Sequence, residues 1–526
     1  MSFSLYKNDK LYEISKNIEI FVKVYKELNN NYVDDLDPGK LMRTGIDAMV
    51  ESLDPYTNYI SESQVESYRI STEGKYQGIG GVVKQIGDYV TIVEPYENSP
   101  LVEAGIIAGD QVISINGQST KGKSTEEVTK FVRGVAGTNL KLKINRPSTG
   151  EKFDLELERG SVSIPNVPYS GIVRDHIGYI SLTTFTPDAS KNIRKAYKQL
   201  KDEDEDLQGV ILDLRNNGGG LLREAISICN IFIPKGEEVV FTRGKVKERD
   251  RNFPTTMDAL DLEIPLVVMV NKSSASASEI VSGVIQDLDR GVILGQRSFG
   301  KGLVQNTMEL GYNSRIKLTT SKYYIPSGRC IQGKEYEDGK PVDIADSKRA
   351  EFKTRNGRPV LDGGGVTPDV KLDAPNVPVV LKKLKEQDII FNYVTEYTKD
   401  KSAPEEIETI VFTDFADFKS FVEKQNFEYE TDTEKKLEEL KEAFEDDGYN
   451  DLLNADLDAL KNKIEAEKMT AIETNKKDII IAIQEDISSR FFYQKGKAYQ
   501  KLADDYEIDE AIKILTDKEQ YKSILK

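Results

Sequence analysis

The segment I264-P-L-V-V-M-V-N-K-S-S-A-S-A-S-E-I280 predicts a buried strand, a serine-rich turn and a helix in direct succession. Residues 264–270 form a short apolar run rich in β-branched side chains, which is typical of a central strand. From Ala277 onward, apolar residues recur at helical spacing, at Ile280, Val281, Val284, Ile285 and Leu288. The serines of this segment therefore lie at a strand-to-helix junction.

A serine hydroxyl at such a junction faces the positive end of the helix and its free backbone N–H groups, which stabilise an alkoxide or an oxyanion. The serines that compete for this role are Ser273, Ser274, Ser276 and Ser278. A structural role is the alternative, because Ser276 and Glu279 have the S-x-x-E spacing of a capping box. Taken alone, the segment favours the cap.

A second segment, S298-F-G-K-G-L-V-Q305, offers a base for such a serine. The usual base is histidine, but the only histidine of the chain is His176, at a strand start with no serine or carboxylate recognisably arranged around it. Gly300 and Gly302 leave room for the ammonium of Lys301 to point inward, where burial lowers a lysine pKa from about 10.4. A serine enzyme in this chain would therefore use lysine. The alternative is a surface lysine in a glycine turn.

The same region suggests a remote alternative, a nucleotide-binding loop. G295-Q-R-S-F-G-K-G302 matches the phosphate-binding pattern G-x-x-x-x-G-K-[ST] except at its last position. Gly302 has no hydroxyl for magnesium, and residues 303–310 alternate like a strand rather than opening a helix. Both departures argue against this interpretation.

A third glycine-rich segment, R215-N-N-G-G-G220, lies between a predicted strand, V210-I-L-D-L214, and a predicted helix at residues 221–232. Glycines at such a turn expose backbone N–H groups, which bind a phosphate or a tetrahedral oxyanion equally well. A tight loop built for packing is the more common explanation of three glycines.

Residues 76–160 alternate short apolar strands with turns and contain one predicted helix, around residues 124–133. This region resembles a PDZ domain in three blocks: Y76-Q-G-I-G-G81, S99-P-L-V-E-A-G-I-I-A-G-D-Q-V-I-S-I-N-G117 and V132-R-G-V-A-G-T138. The resemblance implies that the loop of Gly78, Ile79, Gly80 and Gly81 presents N–H groups to a terminal carboxylate, while the peptide adds as a strand. An ordinary hairpin connection is the alternative for the loop alone.

The glycine and serine segments together resemble the C-terminal processing peptidases, also called tail-specific proteases. The blocks that carry the resemblance occur in the family's order: L53-D-P-Y-T57, L212-D-L-R-N-N-G-G-G220, S274-A-S-A-S-E279, F299-G-K-G-L-V-Q305, K322-Y-Y-I-P-S-G-R-C-I-Q332 and G364-G-V-T-P-D369. The resemblance implies that Ser276 is the nucleophile, Lys301 the base and Gln305 the residue that orients Lys301. It assigns the oxyanion hole to backbone N–H groups of Gly219, with Gly218 as the alternative, and of Ala277.

Composition limits the other classes of function. The net charge of -17 and the pI near 4.9 argue against nucleic acid as a partner. No apolar run approaches the roughly 18 residues of a membrane span. Cys229 and Cys330 fit no metal or redox spacing, and no zinc or cofactor motif is present, so we expect neither a metal nor a cofactor.

Together, the patterns and the resemblance predict a multi-domain α/β protein. Its expected parts are a helical N-terminal region at 1–72, a PDZ domain at 73–160, an α/β protease core of the ClpP/crotonase type at 161–370 and a helical C-terminal domain at 371–526. Its predicted function is that of a serine endopeptidase acting on unfolded or tail-exposed proteins with a free C-terminus, through a Ser–Lys dyad and an acyl-enzyme. A catalytically idle PDZ scaffold that binds C-terminal peptides is the alternative, and a homo-oligomer is left open. The start M1-S-F-S-L shows no export signal. The resemblance nevertheless implies an extracytoplasmic, periplasmic location.

Overall fold

The N-terminal region is mainly helical, as predicted, but it also contributes a strand to the rest of the molecule. The computed structural model describes residues 2–337, 340–343, 345–448 and 450–526, so the predicted N-terminal limit at Met1 lies outside the described residues. The elements of this region are α1 (Ser2–Asn31), α2 (Pro38–Glu51), β1 (Asn58–Ile60) and α3 (Glu62–Glu73). Strand β1 was not predicted because three residues are too few to show a period of two.

The next region is a small β-sheet domain with an open edge. Its elements are β2 (Lys75–Gly78), β3 (Gly81–Ile86), β4 (Tyr89–Pro95), α4 (Pro100–Glu103), β5 (Gln111–Ile115), β6 (Gln118–Ser119), α5 (Thr125–Val132), β7 (Asn139–Arg146), β8 (Glu151–Glu158) and β9 (Gly160–Ser163). The sheet order is β3-β4-β5-β7-β8, so β3 is an edge strand. Helix α5 agrees with the predicted helix and begins after Ser124, whose side chain accepts the Glu127 N–H.

The central sheet contains the strand predicted from residues 264–270. Its order is β10-β11-β12-β15-β16-β23, parallel from β11 to β23. The elements of this part of the chain are β10 (Ser170–Ile172), β11 (Ile177–Ser181), α6 (Ala189–Glu203), β12 (Gly209–Asp213), α7 (Leu222–Phe232), β13 (Glu238–Gly244), β14 (Arg251–Pro254), β15 (Leu266–Val270), α8 (Ala277–Asp287), β16 (Val292–Gly295) and β23 (Val370–Lys371). Every residue of β12 and β15 is buried, which explains the apolar sequence of β15 and of β12 before its last residue, Asp213.

A second sheet lies beside the central one and is built largely from the long hairpin β17 (Leu303–Gly311) and β18 (Ser314–Tyr324). Strand β18 also pairs with β1 and with β13, which ties the N-terminal region to the core. Strand β17 confirms the prediction, from the alternating sequence of residues 303–310, that this segment is a strand rather than the start of a helix. Short hairpins follow, formed by β19 (Lys334–Glu337) with β20 (Lys340–Asp343) and by β21 (Glu351–Lys353) with β22 (Pro359–Leu361).

The C-terminal region is helical, as predicted, but its helices serve two cores. Its elements are α9 (Val379–Glu386), α10 (Ile389–Tyr397), α11 (Phe415–Lys424), α12 (Asp432–Asp446), α13 (Asn450–Thr474), α14 (Lys476–Leu502), α15 (Tyr506–Thr516) and α16 (Lys518–Ile524). Helices α9, α10, α11 and α14 share an apolar core of their own. Helix α15 instead packs on one face of the central sheet, opposite the face covered by α6, α7 and α8.

Candidate active site

The glycine-rich and serine-rich segments meet at the carboxyl ends of the parallel strands, where open α/β sheets bind their ligands. Residues 215–220 follow β12, residues 271–276 follow β15, and residues 296–302 follow β16. A groove of about 420 Å³ lies above these loops. The lining residues that matter for its chemistry are Gly218, Gly219, Ser276, Ala277, Lys301, Gln305, Lys317 and Tyr323.

The structure separates the four serines of the turn. The hydroxyls of Ser274 and Ser278 are buried and donate to the carbonyls of Leu214 and Asn217, each at 2.8 Å, so they fasten the serine turn to the neighbouring loop. Ser273 is exposed and is absent from the groove lining. Ser276 is half-buried and lines the groove.

The backbone of Ser276 is held in an unusual conformation at the start of α8. Its φ is 55° and its ψ is -110°, a region that costs a non-glycine residue on the order of 1–3 kcal/mol. The groove side of the turn is also crowded, because a Cβ on Gly219 would come within 2.9 Å of the Ser276 Cβ. Such strain at the tip of a strand–turn–helix unit is typical of functional positions.

Glu279 connects the serine turn to the lysine loop. Its buried carboxylate accepts the backbone N–H of Ser276 at 2.8 Å, which is the glutamate half of the predicted capping box. The same carboxylate accepts the N–H groups of Gly300 at 2.6 Å and Lys301 at 2.8 Å, and the Ser298 hydroxyl at 2.5 Å. The carboxylate that caps α8 at Ser276 therefore also holds the loop of Lys301, so the capping role and the catalytic role of Ser276 are compatible. Burial raises the pKa of Glu279, and these donors oppose that rise.

Tyr323 makes a second connection between the two loops. Its ring is fully buried, and its hydroxyl donates to the backbone carbonyls of Lys301 at 2.6 Å and Ser276 at 3.2 Å. Residues 276 and 301 are thus joined through Glu279 on their N–H groups and through Tyr323 on their carbonyls. The sequence contained Glu279 and Tyr323 within its recognised blocks, but no spacing showed that each would contact both loops.

The ammonium group of Lys301 lies in a partly apolar site. Its Nζ is 4.3 Å from the centre of the Tyr56 ring. Burial, followed by the nearby charge of Lys317, lowers the pKa of Lys301 to about 8. Asp54 and Glu279 oppose this change. The lowered pKa was predictable from the expected burial of Lys301, but the contribution of Lys317, which reaches the groove from β18, was not.

Tyr56 and Asp54 come from the block L53-D-P-Y-T57, which the structure brings to the groove from the N-terminal region. The buried Asp54 carboxylate accepts the N–H groups of Tyr56 and Thr57, both at 2.8 Å, and fixes the turn that leads into β1. The Thr57 hydroxyl then accepts the Thr319 N–H at 3.2 Å on β18. The N-terminal region therefore supplies part of the wall around Lys301.

Gln305 lies in the groove lining, but its amide is engaged elsewhere in this conformation. Its Nε2 donates to the Thr319 hydroxyl at 3.1 Å across the β17–β18 hairpin. The role of Gln305 in orienting Lys301 stays a prediction. The Gln305 side chain would have to rotate to exchange the Thr319 hydroxyl for Lys301 as its partner.

The predicted oxyanion donors lie beside Ser276. A Cβ on Gly219 would be 2.9 Å from the Ala277 nitrogen, so these two backbone segments are in direct contact. The Gly219 N–H donates to the Asn217 Oδ1 at 2.9 Å, whereas the Asn217 Nδ2 donates to Leu182 O at 2.7 Å. An oxyanion at this position would compete with Asn217 for the Gly219 N–H. The choice between Gly219 and Gly218 stays a prediction.

His176 lies far from this chemistry. It precedes β11 at the amino end of the sheet, whereas the groove lies at the carboxyl ends of the strands. The sequence showed no carboxylate recognisably arranged around His176, but the structure places Asp204 Oδ2 2.8 Å from its Nδ1. Asp204 follows α6 and is distant from His176 in sequence, so no local pattern could show it.

The loop at residues 78–81 connects β2 to the edge strand β3. Gly80 has a φ of 91°, and a Cβ there would come within 2.2 Å of Ser99, so glycine is required. Ile79 points into the apolar core of this domain. The Gly81 N–H donates to the Tyr76 hydroxyl at 3.2 Å, and the Gly80 N–H interacts with the same oxygen. The loop therefore gathers N–H groups around one acceptor.

Comparison with protein families gives matches in the β-sheet domain, in the central α/β core and in the helical C-terminal region. Residues 176–342 match the model of peptidase family S41. Residues 91–146 match a PDZ domain, and residues 380–515 match the C-terminal helical domain of a probable PDZ-protease.

Named relatives agree with these matches. The carboxy-terminal-processing protease of Bartonella bacilliformis is 37% identical over 320 residues, covering 60% of this chain and 73% of that protein. The chain belongs to peptidase family S41. A probable CtpA-like serine protease of Staphylococcus aureus is 35% identical over 347 residues, covering 64% of this chain and 68% of the relative. As a family S41 member, the protein is a serine-type peptidase with a PDZ domain and a helical C-terminal domain.

Among solved structures, the photosystem II D1 C-terminal processing protease aligns with 25% identity and a TM-score of 0.37, covering 67% of this chain and 92% of that one. Within the described ranges, no helix is long and apolar enough to cross a membrane. The described part of the S41 peptidase also contains no group of three or more His, Cys, Asp or Glu side chains that could hold a metal ion.

Proposed function

We propose that this S41 peptidase is an endopeptidase that captures protein C-terminal tails and cuts peptide bonds with a Ser276–Lys301 dyad. The observation that carries the proposal is the double connection of these residues through Glu279 and Tyr323, above a groove that both line. This arrangement fits a nucleophile and a base that must keep a fixed relation.

The reaction begins when neutral Lys301 takes the proton of the Ser276 hydroxyl as its oxygen attacks the peptide carbonyl. A pKa of about 8 leaves part of the lysine population neutral near pH 7. The tetrahedral oxyanion is stabilised by the Ala277 N–H at the start of α8 and by a glycine N–H of the 215–220 loop. Lys301 then gives its proton to the leaving amine. The resulting acyl-enzyme is hydrolysed by a water that Lys301 activates.

Tail capture is assigned to the PDZ domain. A free carboxylate would bind the N–H groups of the 78–81 loop, and the peptide would pair with β3, whose outer edge has no partner strand among the described residues. The expected substrates are unfolded or tail-exposed proteins, which agrees with the name carboxy-terminal-processing protease given to the Bartonella relative.

The dyad is tested by incubating an unfolded protein substrate with four variants of the enzyme. Residues that act as one unit are not additive, so Ser276→Ala, Lys301→Ala and the double variant should lose similar amounts of activity. Ser273→Ala is the matched control, because its serine belongs to the same turn but is exposed. Near-normal cleavage by Lys301→Ala would exclude lysine as the base.

Tail recognition is tested with substrates that differ only in a free or amidated C-terminus. Hydrogen bonds to a charged group contribute about 1.5–3 kcal/mol each, so amidation should lower kcat/KM about tenfold or more at low substrate concentration. Equal cleavage of both forms would exclude carboxylate capture but leave the dyad intact. If the protein were an idle scaffold, it would bind the tails but cut no substrate. The wild type and Ser276→Ala would then be equally inactive.

We also propose an extracytoplasmic, periplasmic site of action, on the family resemblance alone. Cell fractionation with compartment markers tests this location. Recovery of the protein only with cytoplasmic markers would contradict it.

A further inference from the structure

The C-terminal helix α15 reaches the active-site end of the central sheet through one carboxylate. Glu507 is 2% exposed and lies in the first turn of α15. It accepts Arg215 Nη1 at 2.5 Å through one oxygen and Gln296 Nε2 at 2.6 Å through the other. Arg215 follows β12 and Gln296 follows β16, with β15 between them. One side chain thus bridges about 10 Å across the strand ends.

Both partners of Glu507 start a loop of the candidate active site. Arg215 is the first residue of the glycine loop and is also held by Asp213, with its Nε 3.0 Å from each carboxylate oxygen. Asp505 gives the guanidinium a further partner at 2.7 Å. Gln296 begins the segment that carries Ser298 and Lys301. Glu507 therefore connects the glycine loop to the lysine loop at their roots, whereas Glu279 connects the serine turn to the lysine loop near the groove.

We propose that Glu507 is a positioning residue, through which the C-terminal helical domain sets the relative placement of the oxyanion loop and the lysine loop. The inference rests on the proposed Ser–Lys function and extends it to a region whose role the sequence left open. Without Glu507, Arg215 would keep Asp213 and Asp505 but lose its connection to Gln296, so the roots of the two loops could shift relative to each other. A displacement of about 1 Å near reacting groups lowers rates about 100-fold.

The test compares Glu507→Gln and Glu507→Ala with Asp509→Asn. Asp509 is the matched control, since this carboxylate of the same helix pairs with Arg174, which is on neither loop. Glu507→Gln keeps the size of the side chain but removes its charge. We expect kcat to fall about tenfold for Gln and about 100-fold for Ala, with KM changed less than twofold. Asp509→Asn should behave like the wild type.

A positional role is separated from a loss of folded protein by two further measurements. The first is the rate at which a fluorophosphonate probe labels Ser276 in each folded variant, well below its thermal midpoint. The second is a cycle with Gln296→Ala, whose loss should not add to that of Glu507→Ala, because both act through the same contact. If Glu507→Ala does not fold, the near-isosteric Gln variant decides.

The outcomes distinguish a failure of the positioning role of Glu507 from a failure of the Ser276–Lys301 dyad. Wild-type labelling and kcat in Glu507→Gln and in any folded Glu507→Ala would overturn the positioning role and leave the dyad standing. Slow labelling of both variants, with a normal Asp509→Asn, supports it. If the probe does not label wild-type Ser276 and Ser276→Ala still cuts substrate, the proposed dyad itself has failed. A rise in KM alone would also overturn the inference, because it would place Glu507 in substrate binding.

Discussion

At Lys301, one side chain shows how residue types, burial and neighbouring charge combine. The flanking glycines and the single histidine of the chain pointed to this lysine, and the structure places it against Tyr56 with its pKa lowered to about 8. The contribution of Lys317 was not predictable, because the two residues belong to different strands and loops. Its position depends on the register of the β17–β18 hairpin.

The pH profile tests this environment. If neutral Lys301 is the base, kcat/KM should rise with pH through an apparent pKa of about 8. Because the charge of Lys317 lowers the pKa of Lys301, Lys317→Met should move the rising limb to higher pH, by up to about one pH unit.

Lys322→Met is the control for this experiment, because Lys322 lies on the same strand but is exposed. An unchanged profile in Lys317→Met would show that Lys317 does not act on the base. Loss of the rising limb in His176→Gln would instead identify an imidazole as the base.

At the scale of single elements, the buried strands and the helices with clear periodicity were predictable, whereas contacts between loops were not. Strand β15 and helix α8 follow from their apolar patterns. The distinction among the serines does not, since it depends on which hydroxyl is used by a neighbouring backbone carbonyl. The local sequence shows which hydroxyls a loop carries, but it does not show which backbone carbonyl of a neighbouring loop each hydroxyl will bind.

The PDZ loop gives a prediction at this scale. The Tyr76 hydroxyl accepts the Gly81 N–H, in a loop expected to bind a carboxylate, and Arg133 lies over the same ring at 5.7 Å. Tyr76→Phe removes the competing acceptor but keeps the ring. We therefore expect a free-acid peptide to bind several-fold more tightly, as measured by fluorescence anisotropy, since one hydrogen bond contributes about 1 kcal/mol.

An amidated peptide is the control, and its weaker binding should change little in Tyr76→Phe. Weaker binding of the free acid by the variant would contradict competition. It would show instead that the Tyr76 hydroxyl helps to hold the peptide.

For the whole molecule, the sequence predicted the order of the parts but not how they share cores. Composition suggested a separate helical domain from residue 371, and most of that region does have its own core. Helix α15 nevertheless belongs to the core of the central sheet, because it packs on the face with Ile211, Val267 and Met269, together with the end of α14 and with α16. Amphipathicity shows that a helix has an apolar face but does not show which surface it will cover.

Removing residues 505–526 should therefore destabilise the protease core rather than detach an independent domain. The large apolar side chains that α15 buries are Ile508, Ile512, Ile514 and Leu515. At about 1.5–3 kcal/mol each, their burial contributes on the order of 6–12 kcal/mol, which is comparable to the entire stability of a typical domain. We expect the shortened protein to aggregate or to melt at a much lower temperature.

Two comparisons make the truncation result specific to the apolar face of α15. Ile514→Ala alone should cost about 2–5 kcal/mol in unfolding free energy, whereas Lys513→Ala on the same helix should cost little. Deleting residues 2–31 should leave the core transition nearly unchanged, since the described side chains of α1 from residue 10 onward are almost all exposed. A core that melts normally without residues 505–526 would show that the sheet tolerates an open face. The link through Glu507 would then concern catalysis alone, because helix α15 would add nothing to the folding of the sheet that it covers.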